Sequence, residues 1–196
     1  DWLAEVHLKF NLLPETFFLA VNIVDHYLSV AQVARSQLQL VGVTAMLIAS
    51  KYEEIYPPEV NDYVFVTDNT YSRDEILEKE GEILNTLNFN LTYPSMLHFL
   101  RRFSKAGQSD YMTHTLCKYL IELSTLDVKM YKYMPSQIAA ASVYLSRRMV
   151  GLSCWVSCYP RLVDPLSATD LATCRHLTSR NTQPTPKKES RAALLL

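Results

Sequence analysis

Residues 38–58 read LQLVGVTAMLIASKYEEIYPP, and this stretch decides the fold. Residues 38–50 contain no charged side chain. A helix that is apolar on all sides must be covered on all sides, and about 13 residues are too few for a bilayer span of roughly 20. Pro57 and Pro58 prevent the helix from continuing. The stretch therefore predicts the buried central helix of a helical domain, which reaches the surface at Lys51.

Four further helices are predicted around this central helix. The first lies near the N-terminus, Pro14 opens the second, a short one covers residues 59–65, and Ser72 caps the last. Strand patterns are nearly absent, so the fold class is all-α. The face of the second helix that we expect to be buried consists of Phe17, Val21, Val24 and Leu28.

An internal repeat extends this helical pattern into the second half of the chain. A shift of 97 residues places Leu19 of the second helix on Leu116. The same shift places Gly42 of the central helix on Ala139, another small residue. Because one shift aligns two separate helices, the sequence indicates a duplicated five-helix domain.

The second copy is predicted to be incomplete. Residues 169–180, where the shift would place its fifth helix, lack a sustained apolar face. From about Leu152 the composition turns to Ser, Thr, Pro and Arg, which favours disorder. We therefore divide the chain into a complete first repeat, residues 1–92, a partial second repeat, residues 93–150, and a divergent, disordered tail, residues 151–196.

Composition argues against several classes of function. The net charge is −1 overall and −4 over residues 1–150, which leaves no basic stripe for nucleic acid. Four cysteines are too few and too unevenly placed for a disulfide framework, and no signal peptide or membrane span is evident. A glycine-rich phosphate loop, a nucleophile elbow and a His-Glu-x-x-His motif are all missing. We therefore expect no enzyme, no cofactor and no membrane or nucleic-acid partner.

A zinc site in the tail is also disfavoured. Four residues of the tail are of the types that bind zinc, but the last two of them are separated by only one residue. That spacing does not fit a zinc knuckle. No metal site is therefore predicted from Cys154, Cys158, Cys174 and His176.

The first 92 residues resemble the cyclin box, the regulatory domain of cyclin-dependent protein kinases, and the mitotic B-type in particular. The resemblance is carried by residues 38–58, by DWLAEVHLKF at residues 1–10 and by LNTLNF at residues 84–89. It implies a cyclin fold with one complete and one incomplete five-helix repeat. It also implies a subunit that binds and activates a Ser/Thr kinase in G2/M control, in the nucleus and cytoplasm.

The resemblance further implies which residues contact the kinase. Lys51 and Glu80 would hold the backbone of the kinase's mobile, glutamate-bearing helix, although on charge alone they predict only a surface salt bridge. Their apolar neighbours would each be predicted as core residues without the resemblance. We call the whole set the kinase-contact surface: Lys51, Tyr52, Glu80, Leu84, Phe89 and Leu91.

A second implied site is a docking patch for Arg-x-Leu motifs of substrates or inhibitors. Trp2 and Glu5 are three residues apart and share a helix face, and Gln39 completes the set. Trp2 is equally compatible with a core position. The Met-Arg-Ala-Ile-Leu segment that builds much of such a patch would precede Asp1, so we expect weak docking.

The sequence also leaves open two alternatives to kinase activation and contains one candidate modification site. A cyclin-fold transcription adaptor would use the same duplicated domain and should show a basic face. A truncated, non-productive cyclin variant would follow from the incomplete second repeat. Thr185 in Thr-Pro-Lys-Lys fits the Ser/Thr-Pro-x-basic pattern of cyclin-dependent kinases and is a candidate phosphorylation site.

Overall fold

A computed structural model describes residues 2–152, apart from the side chain of Val128. These residues form eight α-helices and two 3₁₀ helices without a strand, which confirms the all-α prediction. The α-helices are α1 (Trp2–Lys9), α2 (Pro14–Val30), α3 (Leu38–Glu53), α4 (Val60–Val66), α5 (Arg73–Thr86), α6 (Met96–Ala106), α7 (Tyr111–Ser124) and α8 (Pro135–Met149). The 3₁₀ helices are Arg35–Gln37 and Val128–Lys132.

The chain divides into two compact units. The first, Asp1–His98, holds α1 to α5, and the second begins at Phe99 and holds α7 and α8. The predicted disorder after residue 152 lies outside the described residues. The same is true of the zinc candidates and the candidate phosphorylation site, which are Cys154, Cys158, Cys174, His176 and Thr185.

The first unit is built around α3, as the sequence predicts. Every residue from Leu40 to Ser50 is buried, and α1, α2, α4 and α5 all contact this helix. At Gly42 an added Cβ would lie 3.3 Å from Cδ2 of Leu3. The helices α1 and α3 therefore approach each other closely at this point because position 42 carries no side chain.

The buried face of α2 is different from the predicted one. Tyr27 is 1% exposed, and its hydroxyl donates to Oε1 of Glu82 at 2.5 Å. A tyrosine whose hydroxyl has a partner can be buried like a large apolar residue, so the buried stripe rotates toward Ala20, Ile23 and Tyr27. The prediction is right for Phe17 and wrong for Val21, Val24 and Leu28, which are half-buried or exposed.

The predicted start of α5 is confirmed in detail. The backbone N–H of Glu75 donates to Oγ of Ser72, and the Glu75 carboxylate accepts from the Ser72 backbone N–H at 2.7 Å. The hydrogen bond from the Ser72 backbone N–H lowers the pKa of Glu75 most, and the hydrogen bond from the Ser72 hydroxyl lowers it further. The capping box fixes the start of the helix that carries Glu80.

The second unit repeats the pairing of α2 with α3. Its α7 and α8 pack against each other, and α8 begins at Pro135, 97 residues after the first residue of α3. Cys117, Leu120 and Ile121 of α7 are fully buried. The internal repeat therefore corresponds to a structural repeat.

Two features are absent from the part of the chain that the structure describes, residues 2–152. No helix there is long and apolar enough to cross a bilayer. No group of three or more His, Cys, Asp or Glu side chains there could hold a metal ion.

Candidate functional site

The predicted pair Lys51 and Glu80 forms an ion pair between α3 and α5. The Lys51 ammonium donates to both carboxylate oxygens of Glu80, at 2.7 and 2.8 Å. The Lys51 side chain is 44% exposed and that of Glu80 is 14% exposed. An ammonium has three N–H donors, so one remains for an acceptor outside the chain. The pair thus presents a fixed cation at the surface end of the central helix.

The apolar side chains of the predicted kinase-contact surface are not fully buried in the core. Tyr52 is 55% exposed and Phe89 is 65% exposed. Leu84, one turn after Glu80 on α5, and Leu91 are half-buried. The possibility that Tyr52 and Phe89 are core residues is therefore excluded, and both are available to a partner.

The backbone at Phe89 is in a conformation that bulky residues rarely adopt. Asn88 and Phe89 follow α5 with φ angles of 51° and 55°, and the Phe89 N–H donates to the Leu84 carbonyl at 2.9 Å. Asparagine tolerates the left-handed region, whereas a large side chain there has an energetic cost. Buried Leu87 anchors the turn. An exposed aromatic ring held at such a cost is typical of a functional position.

Sequence reasoning missed two exposed apolar side chains that directly follow α3. Ile55 is 85% exposed and Tyr56 is 92% exposed. They lie between the end of α3 and Pro57, so they cannot be drawn into a continuing helix. The sequence did contain one indication that these two side chains are exposed, because they form an apolar pair in a segment that proline keeps out of a helix. Together with Tyr52, they give the end of α3 an exposed apolar character that favours partner binding.

A cleft of about 260 Å³ adjoins the kinase-contact surface within the first unit. Tyr52 and Leu91 both line it, so the structure brings these two predicted residues together. Ser95 and His98 share a hydrogen bond of 2.8 Å between Oγ and Nδ1 at its edge. The lining residues are Glu15, Leu19, Tyr52, Glu53, Leu91, Thr92, Tyr93, Ser95 and His98.

The residues of the predicted docking patch lie on two helices that contact each other. Trp2 and Glu5 are on α1 and Gln39 is in the first turn of α3. Glu5 is exposed, whereas Trp2 and Gln39 are half-buried. Half-burial leaves part of each side chain accessible, and the docking role stays a prediction.

Comparison with known families decides the assignment. The family described as "Cyclin, N-terminal domain" matches residues 1–92, and "Cyclin, C-terminal domain" matches residues 94–193. The chain belongs to the cyclin family. All six residues of the kinase-contact surface fall within the N-terminal match. The C-terminal match extends beyond residue 150, and where the second cyclin repeat ends stays a prediction.

Individual relatives are G2/mitotic-specific cyclins. The chain is 55% identical to a cyclin-B of Spisula solidissima over 155 residues, which is 79% of this chain and 36% of the relative. It is 52% identical to a cyclin-B2 of Gallus gallus over 155 residues, 79% of this chain and 39% of the relative. The chain thus spans little more than a third of these cyclins.

A solved structure shows the same fold. The viral cyclin of herpesvirus saimiri superposes with a TM-score of 0.80 at 20% identity, over 91% of this chain and 80% of the viral one. The cyclin fold predicted from the sequence is therefore confirmed.

Proposed function

We propose that this cyclin chain binds and activates a cyclin-dependent Ser/Thr kinase in G2/M control. The observation that carries the proposal is the Lys51–Glu80 ion pair together with the exposed aromatic side chains of Tyr52 and Phe89 in the same domain. These side chains lie in the N-terminal domain of a cyclin that is 55% identical to a G2/mitotic-specific relative.

The arrangement suits the capture of a partner helix. Aromatic and apolar anchors provide most of the energy of protein interfaces, whereas charged groups set register and orientation. Tyr52, Phe89 and Leu91 would act as the anchors. Lys51 and Glu80 would form directional hydrogen bonds to the backbone of the kinase's mobile helix, because Lys51 keeps a donor and Glu80 keeps acceptor lone pairs.

Activation would be a shift of the kinase population. A cyclin that binds the mobile helix only in its inward position stabilises that position by its difference in affinity for the two states. The inward helix allows the kinase's own Lys–Glu ion pair to orient the ATP phosphates. The cyclin itself would contribute no catalytic group and no cofactor.

Further parts of the proposal concern location and secondary partners. The chain would act in the nucleus and cytoplasm. The patch of Trp2, Glu5 and Gln39 would receive Arg-x-Leu motifs of substrates or inhibitors. Thr185 would be phosphorylated by the bound kinase.

The test is reconstitution with a purified cyclin-dependent kinase subunit. We expect the chain to bind the kinase and to raise phosphorylation of a Ser-Pro-x-Lys peptide. A chimera in which a relative's second repeat replaces residues 93–196 separates activation from binding. If the chain binds and only the chimera activates, the chain is a non-productive variant. If neither binds, the proposed function is wrong.

A further inference from the structure

Two consecutive glutamates at the end of α3 have different surroundings. Glu53 lines the cleft beside Tyr52. Glu54 instead reaches the start of α2, where its Oε1 accepts from the Leu13 backbone N–H at 2.7 Å and from Oγ1 of Thr16 at 2.5 Å. A side chain at the end of one helix therefore holds the beginning of another, 38 and 41 residues away in sequence.

The start of α2 has no cap of its own. Its N-cap residue is Leu13, whose side chain makes no capping hydrogen bond, and Pro14 occupies the first helical position without an N–H. The first N–H groups of a helix need acceptors from elsewhere. A carboxylate is well suited because the helix dipole is positive at this end. Glu54 thus supplies, in a tertiary contact, the acceptor for the N-cap N–H that the third helical residue of a capping box supplies locally.

The same residue determines how the chain leaves α3. The Glu54 N–H donates to the Ser50 carbonyl at 2.9 Å, the last backbone hydrogen bond of the helix. At Glu54 the backbone turns to an extended conformation, with φ −88° and ψ 143°. Within residues 2–152, the N–H groups of Ile55 and Tyr56 donate to no backbone carbonyl. The two contacts with α2 therefore fix the direction of a segment that the helix itself no longer holds.

This segment carries the exposed apolar side chains next to the kinase-contact surface. Ile55 and Tyr56 extend outward immediately after Glu54, and Tyr52 lies one half-turn before it on α3. Binding is tighter when such side chains are already in their bound positions, because less conformational freedom is lost.

We infer that Glu54 is a positioning residue for kinase binding, acting through Leu13 at the N-cap of α2 and Thr16 in its first turn and without contacting the kinase. The inference rests on the proposed function. It predicts that removal of the Glu54 carboxylate weakens kinase binding by disordering residues 54–58, while the Lys51–Glu80 pair stays intact.

The experiment compares kinase Kd at 25 °C across four variants of the full chain. Glu54→Ala should raise Kd at least tenfold. Glu54→Gln should stay within threefold of the parent, because the amide oxygen can still accept both hydrogen bonds. Glu53→Ala removes the neighbouring carboxylate and should also stay within threefold. Val6→Ala, at a buried position of α1, tests the effect of lowered stability alone and should leave Kd unchanged.

Hydrogen exchange of the free chain supplies a readout that does not depend on the kinase. The Leu13 amide should exchange faster in Glu54→Ala than in the parent, and Glu54→Gln should restore its protection. A Glu54→Ala chain that binds like the parent overturns the inference and leaves the proposed function intact. Equal losses in Glu53→Ala and Glu54→Ala also overturn it, since charge and not geometry would then be responsible. A parent chain that binds no kinase overturns the proposed function itself.

Discussion

Replacing Lys51 by Ala should separate kinase binding from folding. The Lys51 ammonium makes two hydrogen bonds to Glu80, but the Lys51 side chain is 44% exposed. Exposed ion pairs contribute only about 0 to 1 kcal/mol to stability because water screens them. In a unit of about 100 residues, 1 kcal/mol corresponds to roughly 4 to 8 °C in melting temperature. The melting temperature of Lys51→Ala should therefore fall by no more than about 4 to 8 °C.

The effect on kinase binding should be much larger. In a complex the pair would be covered by the partner, and truncating one side of a desolvated polar contact costs about 2 to 5 kcal/mol. Since about 1.4 kcal/mol is a factor of ten in affinity, Kd should rise about 30-fold or more. Calorimetric titration of the purified kinase at 25 °C measures Kd, and thermal melting followed by circular dichroism measures stability.

Lys79 offers a matched control for this substitution. It forms an ion pair with Glu82 on α5, in the same unit as Lys51 and outside the kinase-contact surface. Because the Lys79 side chain is only 12% exposed, Lys79→Ala should cost more stability than Lys51→Ala through lost packing of its aliphatic stem, yet leave Kd within threefold of the parent. A Lys51→Ala chain that binds as tightly as the Lys79→Ala chain would refute the assignment of the surface.

Three further outcomes follow from positions on both units. Phe89→Gly removes the cost of a positive φ at a large residue, so the melting temperature should stay level or rise while kinase Kd weakens at least tenfold; tight binding would exclude Phe89 as an anchor. Leu47→Ala, at a fully buried position, should lower the unfolding free energy in urea by about 2 to 5 kcal/mol, and an unchanged midpoint would contradict the central position of α3. Burial lowers the pKa of His114, as do the positive charges of Lys118 and Arg101. Because the folded state then binds the proton less readily than the unfolded state, stability should fall as pH drops from the usual histidine value of about 6.5 to the lowered one. His114→Gln should flatten that dependence in urea titrations at several pH values.

The helices that local rules determine were predictable from the sequence. The central helix α3 was predictable because its sequence contains an uncharged run that two consecutive prolines follow. The start of α5 was predictable from the capping box at Ser72. The buried face of α2 was not predictable in this way. It depends on whether the Tyr27 hydroxyl finds a partner, and that partner, Glu82, lies 55 residues away in sequence.

The candidate site shows the same division between local and tertiary information. Family resemblance indicated Lys51 and Glu80, and the structure adds that they are directly paired. The exposure of Tyr56 could have been inferred from its position before Pro57. The left-handed backbone at Phe89 could not, because large residues rarely adopt that conformation. The reach of Glu54 to the start of α2 could not either, because it depends on how segments far apart in sequence pack against one another.

The close contact at Gly42 has a consequence for how this family of sequences can diverge. An added Cβ would lie 3.3 Å from the Leu3 side chain, so that side chain would have to shift by a few tenths of an ångström. A residue larger than alanine at position 42 would require either a larger displacement of the Leu3 side chain or a smaller residue at position 3. Across an alignment of cyclins we expect side-chain volumes at these two positions to vary inversely. Such correlated substitution would reveal the contact between α1 and α3, which substitutions at either position alone would not reveal.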